Sequence, residues 1–401
     1  MDPRLARSLD ELFAAERLSR RRFIGRAGGT GLALSSLSAL LAACGDGDEG
    51  GDSRRATPTP AAVRHPKTEI GDWMFANWPL YVDKQVIADF DKRFGGKCEY
   101  VEEINGNFEF FDKVRAKLQA KQPIGRDMVV LTDYLASRWV RLGYCEPLDK
   151  KNIPNASNLV AGLKTINYDP QREFTLPWQS GAIGLGYNPR KTGREITSIG
   201  DLFDPRFKGR VTLLTEAYDS ASTVLLGDGQ DPSQATADQL LGAIEKIDKA
   251  NRAGQFRRFT GNDYTDDLAK GDAWISLAYS GDLVQLQADN PELRFAYPEE
   301  GAVLFTDNMM LPAKAEHFYA AETMMNYVYE PEVAAKIAAA VNYIPPVAGV
   351  QVILAKEDPK LAENPLIFPS DEIRAKLKPY PVLSPADERT VLQAMDKVTG
   401  G

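Results

Sequence analysis

Histidine and cysteine are scarce. His65 and His317 are the two histidines among 401 residues, and Cys44, Cys98 and Cys145 the three cysteines. Histidine-based acid and base chemistry and His/Cys metal centres are left with little material. No G-x-S-x-G elbow, H-E-x-x-H pair or phosphate-binding glycine loop occurs, and no 20 to 50 residue repeat is visible. Positive charge is also short: 48 Lys and Arg stand against 56 Asp and Glu, a net charge of −8. That balance argues against a nucleic-acid partner, which needs a basic face to displace counterions from phosphate. It permits a cationic ligand. What is present is 43% apolar and 26% charged residues, enough for more than one hydrophobic core, since single cores stop growing near roughly 250 to 300 residues. Two lobes are expected.

The charge is unevenly spread. Residues 1–43 hold seven arginines and no lysine against four acids, a balance of +3, which leaves −11 for the remainder. Ser19-Arg20-Arg21-Arg22-Phe23 opens an uncharged, weakly hydrophobic run over residues 27–41, followed by Ala42-Ala43-Cys44. A basic start, a short apolar middle and small residues at the exit are the parts of an export signal. The run is too short for a comfortable membrane span of roughly 20 residues. The arginine pair and the soft apolar run resemble a twin-arginine signal. Leu41-Ala42-Ala43-Cys44 resembles a lipoprotein box, which would make Cys44 the lipidated first residue of the mature protein. Residues 44–67 then read as a tether: Gly45 to Ser53 has no apolar residue, and Thr57-Pro58-Thr59-Pro60 continues as a stiff linker. The folded part is expected near Thr68. Cys98 and Cys145 would lie in an oxidising compartment, either joined as a disulfide or buried as two free thiols; spacing does not decide between them.

Beyond Thr68, short strand signals alternate with helical ones, the pattern of an α/β fold. Strands are expected at residues 73–76, 98–101, 128–131, 211–214, 274–278 and 303–305. Helices are expected at 86–94, 108–120, 237–250, 315–329, 332–340 and 386–398, and Asp133 reads as the cap of a helix running through Trp139. His317, in an alanine-rich helical stretch, reads as a surface or capping residue. In open α/β sheets ligands sit beyond the carboxyl ends of strands. Those exits carry Asn77-Trp78-Pro79-Leu80-Tyr81, Thr132-Asp133-Tyr134, Tyr279-Ser280-Gly281-Asp282 and Phe305-Thr306-Asp307-Asn308, and Tyr343 stands at a helix-to-loop corner. Aromatic faces attract cations and a carboxylate beside them fixes an ammonium end. Together they suit an elongated alkyl amine.

Further motifs run in a consistent order. Asn77-Trp78 with Tyr81 is followed by Asp127-Met128-Val129-Val130 with Thr132 and Tyr134. Next come the glycine-rich segment from Gly181 to Asn188, Ile199-Gly200-Asp201-Leu202-Phe203 with Lys208-Gly209, Gly301 with Phe305, Asp307 and Pro312, and Asn342-Tyr343 with Pro345. From about Ile70 to Lys397 the chain thereby resembles the spermidine/putrescine-binding proteins of ABC importers, members of the type II periplasmic binding protein fold. The resemblance implies two α/β lobes, each a mixed sheet flanked by helices, with the ligand cleft between them. It puts lobe 1 at 68–182 plus 307–351 and lobe 2 at 183–306 plus 352–401. It implies that Trp78, Tyr81, Tyr134, Phe305 and Tyr343 wall the cleft, that Tyr279 stands where the family usually has Trp, that Thr132 hydrogen-bonds an amine, and that Asp307 anchors an ammonium. The family's acid before the first Tyr is here Leu80. Its later acidic pair falls on Ala217 and Ser220, with Glu216 and Asp219 one position away, and its late glutamine has no counterpart near Tyr380.

The function so implied is capture of a putrescine- or spermidine-like polyamine outside the cytoplasm and delivery to an ABC permease. The carrier would be a monomer held to the membrane through Cys44, in the periplasm or on the outer face of the cell membrane, with no cofactor, metal or catalytic residue. Other readings are a same-fold binder of a different cationic or polar solute, an iron(III) binder using Tyr343, Asp307 and Glu216, and an extracytoplasmic hydrolase.

Overall fold

The computed structural model describes residues 65–400. The export signal, Cys44 and the tether up to residue 64 lie outside the described residues. The chain is packed from His65 onward, ahead of the expected start at Thr68. The His65 ring nitrogen Nδ1 lies 2.6 Å from Glu322 Oε1 and its ring stacks on Phe318 at 4.6 Å.

One sheet organises the structure. The strands are β1 (Asp72–Asn77), β2 (Lys97–Glu102), β3 (Met128–Thr132), β4 (Cys145–Glu146), β5 (Thr175–Tyr187), β6 (Val211–Leu214), β7 (Phe256–Thr260), β8 (Ile275–Tyr279), β9 (Arg294–Ala296), β10 (Ala302–Pro312) and β11 (Leu377–Lys378). Their order is β2-β1-β3-β10-β5-β8-β6-β7, with β4, β9 and β11 as short additions. Two parallel groups, β2-β1-β3 and β8-β6-β7, flank the long strands β10 and β5, which run antiparallel to each other and to their outer neighbours. β3 pairs with the second half of β10, and β8 with the second half of β5. Two mixed halves thus share a central pair of strands.

Helices cover both halves: α1 (Lys84–Phe94), α2 (Asn107–Gln119), α3 (Asp133–Leu142), α4 (Ala217–Gly227), α5 (Ala237–Arg252), α6 (Tyr264–Lys270), α7 (Ser280–Asp289), α8 (Phe318–Val328), α9 (Pro331–Val341), α10 (Val350–Glu357) and α11 (Pro385–Thr399). Their ends follow local chemistry. The Asp83 carboxylate accepts from Gln85 N at the start of α1, which stops at Gly95, in the left-handed φ region at 80°. Thr236 and Gln239 form a capping box on α5. α8 starts at Phe318 rather than near Ala315, because the Asp127 carboxylate ties down the amides of Glu316 and His317. His317 is thereby a half-exposed residue at a helix start. Cys98 and Cys145 are both buried free thiols, and burial pushes both well above the ordinary thiol range.

Several segments depart from the reading of the sequence: β7, α4, α6, α7 and α10 were not expected, and two central strands run further than expected. β10 continues seven residues beyond Phe305, to Pro312, and β5 is a fully buried strand of 13 residues where only a glycine-rich crossing was expected. Asp133 is the first residue of α3 and does not cap it. Its carboxylate instead accepts from Tyr168 Oη, Thr306 N and Asn308 Nδ2 at 3.1, 3.2 and 2.8 Å. That ties α3 to the register shift in β10 between Asp307 and Asn308.

Candidate functional site

The strand exits converge on a cleft of about 1170 Å³. All ten residues singled out from the sequence line it: Trp78, Tyr81, Thr132, Tyr134, Glu216, Asp219, Tyr279, Phe305, Asp307 and Tyr343. Asp307 sits in mid-strand on β10, directly opposite Thr132 of β3 in the ladder. Its carboxylate accepts from Thr132 Oγ1 at 2.7 Å and from Tyr81 Oη at 2.8 Å. Asn107, at the start of α2, completes this corner. Its amide donates to Thr132 Oγ1 and Tyr134 Oη, and its carbonyl oxygen accepts from Thr132 N.

Glu216 and Asp219 lie three residues apart at the start of α4, a spacing that puts both on one face of a helix. Glu216 accepts from Tyr134 Oη at 3.0 Å, and Asp219 from Tyr279 Oη and Tyr380 Oη, each at 2.7 Å. Ser220, one position on, turns away and donates to the Leu214 carbonyl. The acids displaced by one position in the sequence are therefore the ones that reach the cleft. Asp282, in the first turn of α7, was part of a strand-exit motif but not singled out. It accepts from Tyr343 Oη at 2.6 Å and Tyr264 Oη at 2.7 Å. Tyr343, Asp307 and Glu216, the trio considered for iron, are thus each engaged with a different partner.

Aromatic rings wall the space. Tyr134 stacks on Tyr218 with centroids 4.9 Å apart and planes 6° apart, and Tyr380 stands edge-on to both. On the other side Tyr279, Phe305, Tyr343 and Tyr81 form an edge-to-face chain with centroid spacings of 5.5, 6.0 and 5.2 Å. Two glycines admit this chain. A Cβ on Gly181 would fall 2.4 Å from the Phe305 ring, and one on Gly281 2.4 Å from the Tyr343 ring. Trp78 is half-buried, its indole N–H donating to the Val130 carbonyl at 3.1 Å. Leu80, where the resembled family carries an acid, is 67% exposed at the cleft with φ at 53°, a strained conformation for a leucine.

Among the described residues, nine carboxyl side chains line the cleft (Asp307, Glu216, Asp219, Asp282, Glu109, Asp112, Asp263, Asp289 and Asp396), and no Lys, Arg or His does. Burial away from water pushes Asp307 and Glu216 up to about 7 and Asp219 up to about 6, and raises Asp282. The Asp219 charge adds to the rise of Glu216, while hydrogen bonds from hydroxyls pull the other way at all four. Such a site is short of positive charge and apolar-walled, with anionic oxygens held in place by hydroxyl groups.

Tyr218, Tyr264, Tyr380, Asn107 and Asp282 are the site residues that reading the sequence missed. Asp282 stands three residues after Tyr279, and Tyr218 lies between Glu216 and Asp219, so both were within reach of the spacing argument. Tyr380 sits between Pro379 and Pro381 outside any periodic element and gave no signal.

Comparison with known proteins agrees with this arrangement. A family model described as bacterial extracellular solute-binding protein matches residues 85–369. The chain is 29% identical over 344 residues to the putrescine-binding periplasmic protein PotF of Escherichia coli, covering 81% of this chain and 90% of that one. It is 26% identical over 345 residues to the spermidine/putrescine-binding periplasmic protein 1 of Haemophilus influenzae, covering 85% and 90%. Among solved structures, the spermidine/putrescine ABC transporter substrate-binding protein PotD of Streptococcus pneumoniae superposes with a TM-score of 0.69 at 20% identity, over 82% of this chain and 99% of that one.

Proposed function

Because the chain belongs to the bacterial extracellular solute-binding protein family and has the type II periplasmic-binding-protein fold, we propose that it captures a polyamine of the putrescine or spermidine type and delivers it to an ABC importer. The observation that carries this reading is the cleft itself: among the described residues it is lined by nine carboxyl groups and aromatic walls and by no basic side chain. A polyammonium chain supplies the missing positive charge, its methylenes lie against ring faces, and its ends meet carboxylates. The relatives bind such ligands by name.

In this reading Asp307 is the central ammonium anchor. Thr132 and Tyr81 hold it in position, and Trp78, Tyr134, Tyr279, Phe305 and Tyr343 make the walls. Glu216, Asp219 and Asp282 take further ammonium groups, and Asp282 offsets the acid absent at Leu80. The lobes are 68–182 plus 307–351 and 183–306 plus 352–401, so two of the three boundaries fall within β5 and β10, the strands shared by both halves, and the third within the first turn of α10. Ligand held between lobes favours the closed form by its differential affinity, and the closed form docks on the permease. No covalent step is required. The protein works as a monomer outside the cytoplasm, exported by the twin-arginine route and anchored through lipidated Cys44. A palmitate-labelling comparison tests the anchor: wild type is labelled and Cys44→Ser is not, and label retained in the variant removes Cys44 from the reading.

Calorimetry on the purified protein with putrescine, spermidine and spermine, against amino acids, betaines and Fe(III), tests the ligand. Binding of at least one polyamine is expected, with a loss of affinity of roughly 30-fold or more in Asp307→Asn. Silence toward every amine, with binding of a neutral or anionic solute, overturns the proposal.

A further inference from the structure

Behind the Tyr134 wall lies a buried ion pair that does not touch the cleft. Glu388, on α11, is 3% exposed, and Arg138, on α3, is 1% exposed. Arg138 Nη2 and Arg141 Nη2 each approach Glu388 Oε2 at 2.9 Å. Tyr218, on α4, faces the same carboxylate, and burial together with the Glu388 charge pushes its phenol up. The Arg138 guanidinium lies 5.0 Å from the centroid of Phe108, whose ring in turn stacks on Tyr134 at 5.9 Å. Tyr134 stacks on Tyr218. The contacts therefore close a ring: Arg138, Glu388, Tyr218, Tyr134, Phe108 and back to Arg138.

The members of this ring come from opposite sides of the cleft. α3 packs on β3, and α2 is tied to the end of β3 by the Asn107–Thr132 hydrogen bonds, whereas α4 packs on β6 and α11 packs on α5. Any motion that parts the two halves must separate Tyr134 from Tyr218 and Arg138 from Glu388 together. A buried pair opposes such partial separation, because each charge loses its partner before water can replace it. Tyr134 and Phe108 belong both to this ring and to the cleft lining, and Tyr134 there donates to Glu216.

We propose that Arg138 and Glu388 form a latch: a pair of positioning residues that couples the Tyr134 wall to the closed arrangement of the lobes and so sets how fast ligand leaves. The proposal rests on the two-lobe, amine-binding reading above. Its test uses the full chain and two readouts, spermidine dissociation by stopped-flow fluorescence and the radius of gyration of the unliganded protein by small-angle scattering. Glu388→Gln is expected to speed dissociation by roughly 30-fold or more, with little change in association, and to raise the radius of gyration. Arg141→Gln, on the more exposed arm of the pair, is expected to move both readouts in the same direction by less, and it decides the matter if Glu388→Gln does not fold. A lowered melting temperature with unchanged dissociation and unchanged radius of gyration marks a merely structural pair and overturns the latch. Where another polyamine binds and spermidine does not, that polyamine replaces it in the dissociation assay; should wild type bind no polyamine, the amine reading falls, and scattering alone decides: equal radii in wild type and variants overturn the latch as well.

Discussion

A methyl group is the smallest probe of how closely the cleft wall is set. Gly281 and Gly181 lie where a Cβ would collide with the Tyr343 and Phe305 rings. Neither position has a positive φ, so the requirement for glycine is one of space and not of backbone conformation. Gly281→Ala must push Tyr343 away from Asp282, breaking the 2.6 Å hydrogen bond and the edge-to-face contact with Tyr81. We expect a destabilisation of about 1–3 kcal/mol by urea unfolding, together with a loss of polyamine affinity of roughly tenfold or more by calorimetry, since each 1.4 kcal/mol is tenfold. Gly242→Ala is the control. It lies on α5 with nothing within 4 Å of its Cβ and should stabilise by about 0.5–1 kcal/mol without changing binding. Wild-type affinity in Gly281→Ala would show that the Tyr343 wall does not contact ligand.

At the level of elements, the segments read correctly were those with one simple job. β3 is Met128-Val129-Val130-Leu131-Thr132, buried at every position, and its apolar run announced a central strand. α5 combines a capping box with an apolar face of Leu240, Ala243, Ile244 and Ile247, and was placed to within two residues. The misread segments carry the site. β10 was cut short at Phe305 because Thr306, Asp307 and Asn308 look like a turn, yet all three are buried in mid-strand. β5 was missed because Gln179, Ser180, Gly181, Gly184 and Gly186 dilute its apolar pattern. Those glycines are open space for Phe305, Phe295 and Leu283. A strand that must leave room for a neighbour's ring or present a carboxylate cannot also display a clean apolar pattern, so the loss of signal follows from the function. The aromatic residues at strand exits survived this because their position after a strand is itself a pattern. Tyr380 and Tyr264 serve the same carboxylates from segments with no such marker.

For the whole molecule, the buried carboxyls in and behind the cleft imply a dependence of stability and binding on pH with a definite sign. Asp307 and Glu216 at about 7, Asp219 and Asp133 at about 6, and the raised Asp282 all hold protons in the folded protein at pH values where the unfolded chain, with carboxyls near 4, has lost them. The native state binds more protons than the unfolded state between about pH 4 and 7, so the stability of the unliganded protein falls as pH rises through that window. The lowered carboxyls, such as Asp204 at about 2 and Glu103, push the other way only below about pH 5, where the unfolded chain takes up protons. Between pH 5 and 7 the raised groups therefore dominate among the carboxyls. Polyammonium ligand needs the cleft groups among these, Asp307, Glu216, Asp219 and Asp282, ionised and favours that form, so binding releases protons and tightens as pH rises. Urea unfolding of the unliganded protein should give a lower stability at pH 7.5 than at pH 5.5, while saturating putrescine should stabilise more at pH 7.5. Calorimetry in two buffers of different ionisation enthalpy should report net proton release on binding near pH 6. A stability that rises with pH in the unliganded protein, or a binding enthalpy indifferent to the buffer, would mean that the cleft carboxyls are already ionised before the ligand arrives.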